Sequence, residues 1–242
     1  MELVQHILGF PETIAGGVIV YPIRVKDFDA FIRVSDILSI SSASLGVGEE
    51  VSVFDVLVYH ASKDVQMLEG LYSLFSLTMR YADVQADGAG DSPIFIVGKN
   101  MAITRNNYTA YRQAVMRQNL IFEKPKFANK IVEQWADRVL ENRHKNGVKH
   151  TIEDIITTVS VYTGKPYHIL AEQALYQIYA DFKRISKIKE YDVAIEFKCA
   201  GADKVVLKHF SEQLNMFANP YEGLFVGASS LSTSQVLPIG EE

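Results

Sequence analysis

The sequence predicts an α+β protein, with an N-terminal β-containing part that carries a hairpin and a mainly helical C-terminal part. Three observations support this. Ile94-Phe95-Ile96-Val97, Gly98-Lys99-Asn100 and Met101-Ala102-Ile103 read as strand, tight turn and strand. Val18 to Val25 (VIVYPIRV) is apolar and β-branched. From Asn107 onward, apolar residues recur at helical spacing in successive segments. The expected parts are 1–105 (α+β), 106–226 (helical) and 227–242 (a Ser-rich flexible tail), with the first two meeting near 105–125.

In chain order, Gly16-Gly17 is a turn, and Val18 to Val25 is expected as a strand that Pro22 places at an edge. Asp27 is a candidate N-cap for a helix starting at Phe28. Ser41 to Glu50 is a small-residue loop, and the apolar run Val51 to His60 fits either a strand or a buried helix. Leu68, Leu71, Tyr72, Phe75 and Met79 share one helical face. Gln85 to Ser92 is expected as a loop before the hairpin.

Beyond the hairpin, Thr104 to Asn107 offers N-caps for a helix whose inner face is Tyr108, Tyr111, Ala114 and Val115, ending near Asn119. Pro125 opens the next helix, with Ala128, Ile131, Val132, Trp135 and Val139 inward and Asn146-Gly147 as its C-cap. Thr151 to Asp154 resembles a capping box ahead of Ile155, Ile156 and Val159, and Thr163-Gly164 ends that helix. Pro166 is placed as the first residue of a long helix carrying Ala171, Leu175, Ile178, Phe182 and Ile185 at near-heptad spacing. After Tyr191 the pattern loosens, to a short strand at Val205–Leu207 and a short helix at Phe210–Phe217.

With 242 residues and 48% hydrophobic content, the chain can bury a real core, which argues against disorder over most of its length. No run of about 18 apolar residues is present, so no membrane span is expected. The start, MELVQHILGFPET, lacks the basic and small-residue features of a signal peptide. Cys199 is the only cysteine, which rules out an intramolecular disulfide and fits a cytosolic history. Charge is unevenly spread: residues 1–98 hold 5 Lys/Arg against 13 Asp/Glu, residues 99–150 hold 11 against 4, and residues 151–242 hold 8 against 12. The basic middle either faces acids of this chain or a neighbouring subunit, or serves as a nucleic-acid footprint; no Lys/Arg-rich cluster favours the second reading.

No chemical motif is complete. Leu45-Gly-Val-Gly48 lacks the third glycine of a dinucleotide loop, and Val97-Gly-Lys-Asn100 lacks the upstream glycine and Ser/Thr of a P-loop. The six histidines are scattered with no pair at i, i+4, so no metal site is expected. No G-x-S-x-G occurs, and Cys199 has no evident histidine and orienting partner. The chain is therefore read as non-enzymatic, without cofactors. Tyr162, Tyr167, Tyr176 and Tyr179 crowd one helical hairpin, a composition suited to a protein interface. The basic helices add Arg112, Arg117, Lys130 and Arg138 as further partner-binding candidates.

Four segments resemble the tail-assembly-chaperone and baseplate-hub-assembly proteins of tailed, contractile bacteriophages. They are VIVYPIRVKDFDAF (18–31), the spaced set Ile103, Tyr108, Arg112 and Asn119, TIEDIITTVSVYTGKPYHILAEQALYQIYADFKRI (151–185), and FKCAGADKVVLKHF (197–210). The resemblance implies protein-only work in the bacterial host's cytoplasm, escorting tail-tube, tape-measure or hub proteins. A structural component of the tail or baseplate in the virion is the alternative, with self-association as an option. A nucleic-acid-binding accessory protein using the basic 99–150 block is the runner-up from a different class.

Overall fold

The computed structural model describes residues 3–40, 52–87, 94–123, 131, 134, 136–139 and 150–219. The chain divides into two compact units, one of residues 1–123 with 150–217 and one of residues 124–149 with 218–242. The first unit thus draws on both sides of residue 105. In the second, residues 136–139 are helical and Ala136 is buried, whereas Ile131, expected to face inward, is exposed. Lys130, the Pro125 helix start, the Asn146-Gly147 cap, the 41–50 loop and the 227–242 tail lie outside the described residues.

The first unit opens with α1 (Leu3–Ile7) and a minimal antiparallel pair, β1 (Glu12–Thr13) and β2 (Ile19–Val20), in which Glu12 faces Val20. The strand expected over 18–25 stops at Val20 because the following amides are bonded one at a time to different elements. Tyr21 N–H donates to Thr78 O, Ile23 N–H to Asn119 Oδ1, and Val25 N–H to Gln173 O. Val18, Val20, Ile23 and Val25 are all buried, so the segment threads through the core rather than lying at an edge. Asp27 does not cap α2 (Phe28–Ile32); its carboxylate accepts from Arg24 Nε at 3.0 Å.

The ambiguous apolar run is α3 (Val53–Ala61), burying Phe54, Leu57 and Ala61. Then α4 (Val65–Met79) begins at Asp64, whose side chain accepts from Gln66 N–H, and buries Leu71, Leu74, Phe75 and Met79. It ends at Arg80, which adopts the left-handed conformation at φ 58°, a position where glycine is usual and an arginine costs about 1–2 kcal/mol. A three-stranded antiparallel sheet follows in the order β3 (Val84–Asp87), β4 (Ile94–Val97), β5 (Met101–Ile103). Val97 faces Met101 across the expected hairpin, and Gly98 takes φ 63°, with the Tyr81 ring so close that a Cβ would lie 2.8 Å from it. The start of the expected 85–92 loop is strand instead. Its side chains beyond Val84 are exposed, so Gln85-Ala86-Asp87 shows no apolar alternation to announce it.

Asn107 ties the hairpin to α5 (Tyr108–Gln118), but its side chain reaches back to the hairpin rather than into the helix: Oδ1 accepts from Thr104 N–H and Nδ2 donates to Ala102 O, both at 2.8 Å. The capping box at Thr151 and Asp154 forms as expected and starts α6 (Ile152–Thr163), which Gly164 ends at φ 72°. Pro166 sits one residue outside α7 (Tyr167–Glu172) as its N-cap. The single long helix is interrupted at Gln173-Ala174, where both residues are extended, and resumes as α8 (Leu175–Cys199). Arg24 and Ala174 form an isolated antiparallel bridge there, with Leu175 N–H donating to Ile23 O. Helix α8 runs on past Tyr191 to Cys199, and no strand at 205–207 or helix at 210–217 forms. One large core joins both sequence halves around Phe54, Phe75, Phe95, Tyr108 and Tyr111, and a small cluster forms at Tyr176, Ala180 and Met216.

Candidate functional site

Three described arginines of the basic block are held by groups of their own chain. Arg105 forms a bidentate pair with Asp55, Arg117 pairs with Glu12, and buried Arg112 donates to Leu38 O at 2.6 Å and to Glu123 at 3.0 Å. Asp55 and Glu12 come from the acidic first segment, so these arginines neutralise their own chain. Arg138, in the second unit, is exposed.

The four tyrosines separate into two kinds. Tyr176 is buried with its ring 5.5 Å from His6 and 5.7 Å from Phe217, and Tyr179 packs partly buried against the core; burial raises the pKa of both phenols. Tyr162 and Tyr167 are exposed, the latter at 56%. Beside them stand Val161 on α6, 83% exposed, and Ile169 on α7. Lys189 of α8 lies over the Tyr162 ring, 5.3 Å from its centroid.

The free end of α8 extends this surface. The 25-residue helix is about 37 Å long, and its last buried residue is Ile185. From Asp192 to Cys199 every residue except Ala194 is exposed, including Val193, Ile195 and Phe197. Val193 and Phe197 lie one turn apart on one side. The opposite side is partly covered by the returning chain: Tyr191 meets the rings of His209 and Phe210 at 5.4 and 5.6 Å, and Arg184 donates to Glu212 O at 3.1 Å. Lys187 holds Glu190 and Glu212 at 3.0 and 3.2 Å. Ile195, Cys199, Ala202 and Leu207 border a shallow depression of about 540 Å³.

This arm offers apolar area next to charged groups and no concentration of reactive side chains. Among the described residues no three His, Cys, Asp or Glu lie together as a metal site, and no helix is long and apolar enough to cross a membrane. Val161 falls outside the Ile155 and Val159 face of α6, and Val193 and Phe197 lie beyond the Leu175–Ile185 stripe of α8. An apolar residue out of register with the core stripe is the signal that marks them.

Residues 142–215, which include most of this arm, match the family described as the YomV second domain. The chain is also similar to the SPbeta prophage-derived uncharacterized protein YomV of Bacillus subtilis (strain 168), with 21% identity over 115 residues, 48% of each protein. The chain therefore spans about half the length of that relative. No solved structure matches it.

Proposed function

We propose that this chain is a non-enzymatic bacteriophage assembly protein that binds tail or baseplate proteins in the host cytoplasm through its 150–217 arm. The observation that carries the reading is the exposed apolar set Val161, Tyr162, Tyr167, Val193 and Phe197, gathered in the segment that matches a domain of a prophage-derived protein. Apolar residues on a helix end left in water suit a surface that is covered on association. Exposed tyrosines suit the same role, since each buries a large ring while keeping a polar tip.

An escort that leaves and a component that stays in the particle use the same kind of surface. Mass spectrometry of purified virions, beside affinity capture from infected lysate, separates them. A copy number matching tail symmetry identifies a structural component. Absence from virions with co-purification of a tail protein identifies an assembly chaperone. Absence from both removes the proposal.

A further inference from the structure

A second feature lies away from the Val161, Val193 and Phe197 surface, where the 21–25 segment crosses the break between α7 and α8. A cleft of about 370 Å³ is lined there by Arg24, Arg80, Glu172, Gln173 and Gln177, with Leu8 and Ile169 as exposed apolar rims. Arg80 is fixed within it: its guanidinium stacks 4.5 Å over the Tyr21 ring and donates from Nη2 to Pro22 O at 3.3 Å. It pairs with no carboxylate among the described residues. Arg24, by contrast, holds Asp27 at 3.0 Å and Glu172 at 3.2 Å, and Lys26 also holds Glu172. Three cations therefore meet two acids, leaving one positive charge uncompensated at Arg80. Burial, and then the adjacent Arg24 charge, lower the pKa of Arg80 from its ordinary value.

A further observation points to the same group. Arg80 occupies a left-handed position that glycine would fill without strain, so the backbone is held unfavourably while the guanidinium stands on the cleft wall. A guanidinium fork with no carboxylate partner calls for a planar oxyanion.

We infer that this cleft receives a peptide carboxylate, with Arg80 gripping the carboxylate and Leu8 and Ile169 flanking the aliphatic part. A single excess positive charge matches a monoanionic carboxylate better than a phosphate dianion. The protein origin of the peptide rests on the protein-binding reading above, but the isolated carboxylate tests the site whatever becomes of that reading.

The test is an NMR titration of the full chain, following the Arg80 Nε–Hε signal. The probes are N-acetylalanine, its uncharged amide and inorganic phosphate. N-acetylalanine is expected to shift the signal saturably in the millimolar range, with the amide inert and phosphate weaker. Arg80→Gly removes the fork while relaxing the backbone, and should weaken N-acetylalanine binding about ten-fold or more, read from the Gln173 side-chain amide. Arg80→Asn, which also tolerates this backbone, serves if the glycine variant does not fold. No shift with N-acetylalanine, an equal shift with the amide, tighter binding of phosphate, or unweakened binding to the folded variant each overturns the assignment.

Discussion

Thr78 Oγ1 and Tyr111 Oη lie 2.6 Å apart at the centre of the first unit, both fully buried, and join α4 to α5. Thr78 Oγ1 also reaches Leu74 O at 2.8 Å, so its proton goes to that carbonyl and Tyr111 donates the shared bond. The two partners are therefore unequal. Tyr111→Phe removes a donor and leaves Thr78 bonded to Leu74, at a cost of about 0.5–1.5 kcal/mol. Thr78→Val strands the Tyr111 hydroxyl in the core, at about 1–3 kcal/mol. The double variant should cost less than the sum of the two. Urea unfolding of all four proteins checks the order, and a costlier Tyr111→Phe would reverse the assignment of donor and acceptor.

Tyr108 presents the opposite case: it is buried beside Tyr111, and its hydroxyl has no hydrogen-bond partner among the described residues. Tyr108→Phe is thus expected to leave stability unchanged or raise it by about 1 kcal/mol. Desolvation raises the pKa of both phenols from 10.0. The folded state keeps its protons where the unfolded state loses them, so the unfolded state binds fewer protons above pH of about 10 and stability falls there. Tyr108→Phe should flatten that alkaline fall, measured as urea midpoints between neutral pH and the alkaline limit.

Legibility in the sequence followed how local each determinant is. The hairpin, α4, α5 and the Thr151–Asp154 capping box rest on turn chemistry, periodicity or a four-residue motif, and all were readable. The break at Gln173-Ala174 contains neither glycine nor proline; it is imposed by backbone bonds to Ile23 and Val25, about 150 residues away in sequence. The extension of α8 to Cys199 was hidden for the reverse reason. Beyond Ile185 the helix no longer packs on the core, so Lys189, Asp192 and Glu196 replace the apolar stripe while the helix continues. At the candidate surface, spacing could not distinguish buried Tyr176 from exposed Tyr167, because both lie near the start of a helical segment beside apolar neighbours.

Gln177 ties α8 to the N-terminal segment through both ends of its amide. Oε1 accepts from Ala174 N–H at 2.7 Å, capping the restarted helix, and Nε2 donates to Ile7 O at 2.8 Å. Gln177→Ala should cost about 1–2 kcal/mol, mainly as the lost cap. Gln177→Glu keeps the acceptor but loses the donor, so it should retain the cap while releasing α1. Hydrogen exchange would then quicken at the 3–10 amides in both variants, but at the start of α8 only in Gln177→Ala. Equal protection at the start of α8 would remove the capping role.

The arm predicts a separation of stability from binding. Val161→Asp and Phe197→Asp alter exposed positions and should change unfolding free energy by no more than about 0.5 kcal/mol. Each adds a charge to an apolar surface and should weaken capture of tail proteins from infected lysate, with the pair weaker still. Folded double variants that capture the same proteins at wild-type yield would move the interaction surface elsewhere.

His6 gives the acid side of the stability profile. Its ring is buried, 5.5 Å from Tyr176 in a stacked arrangement and 5.2 Å from Phe217 edge-on, so it clamps α1 to α8 and the returning chain. Burial first, and the Arg117 charge next, lower its pKa from 6.5, with Glu12 opposing. The native state therefore holds a neutral imidazole where the unfolded chain is protonated. The unfolded state binds more protons below pH 6.5, so this contribution is complete above that pH and is lost as the pH falls through the native pKa. His6→Phe preserves the aromatic contacts and removes the titration. Its stability should change less than that of the wild type between pH 7.5 and pH 5, as measured by thermal unfolding. An identical pH dependence in the two proteins would mean that His6 takes up its proton as readily in the fold as in the unfolded chain, and that its packing on Tyr176 survives protonation.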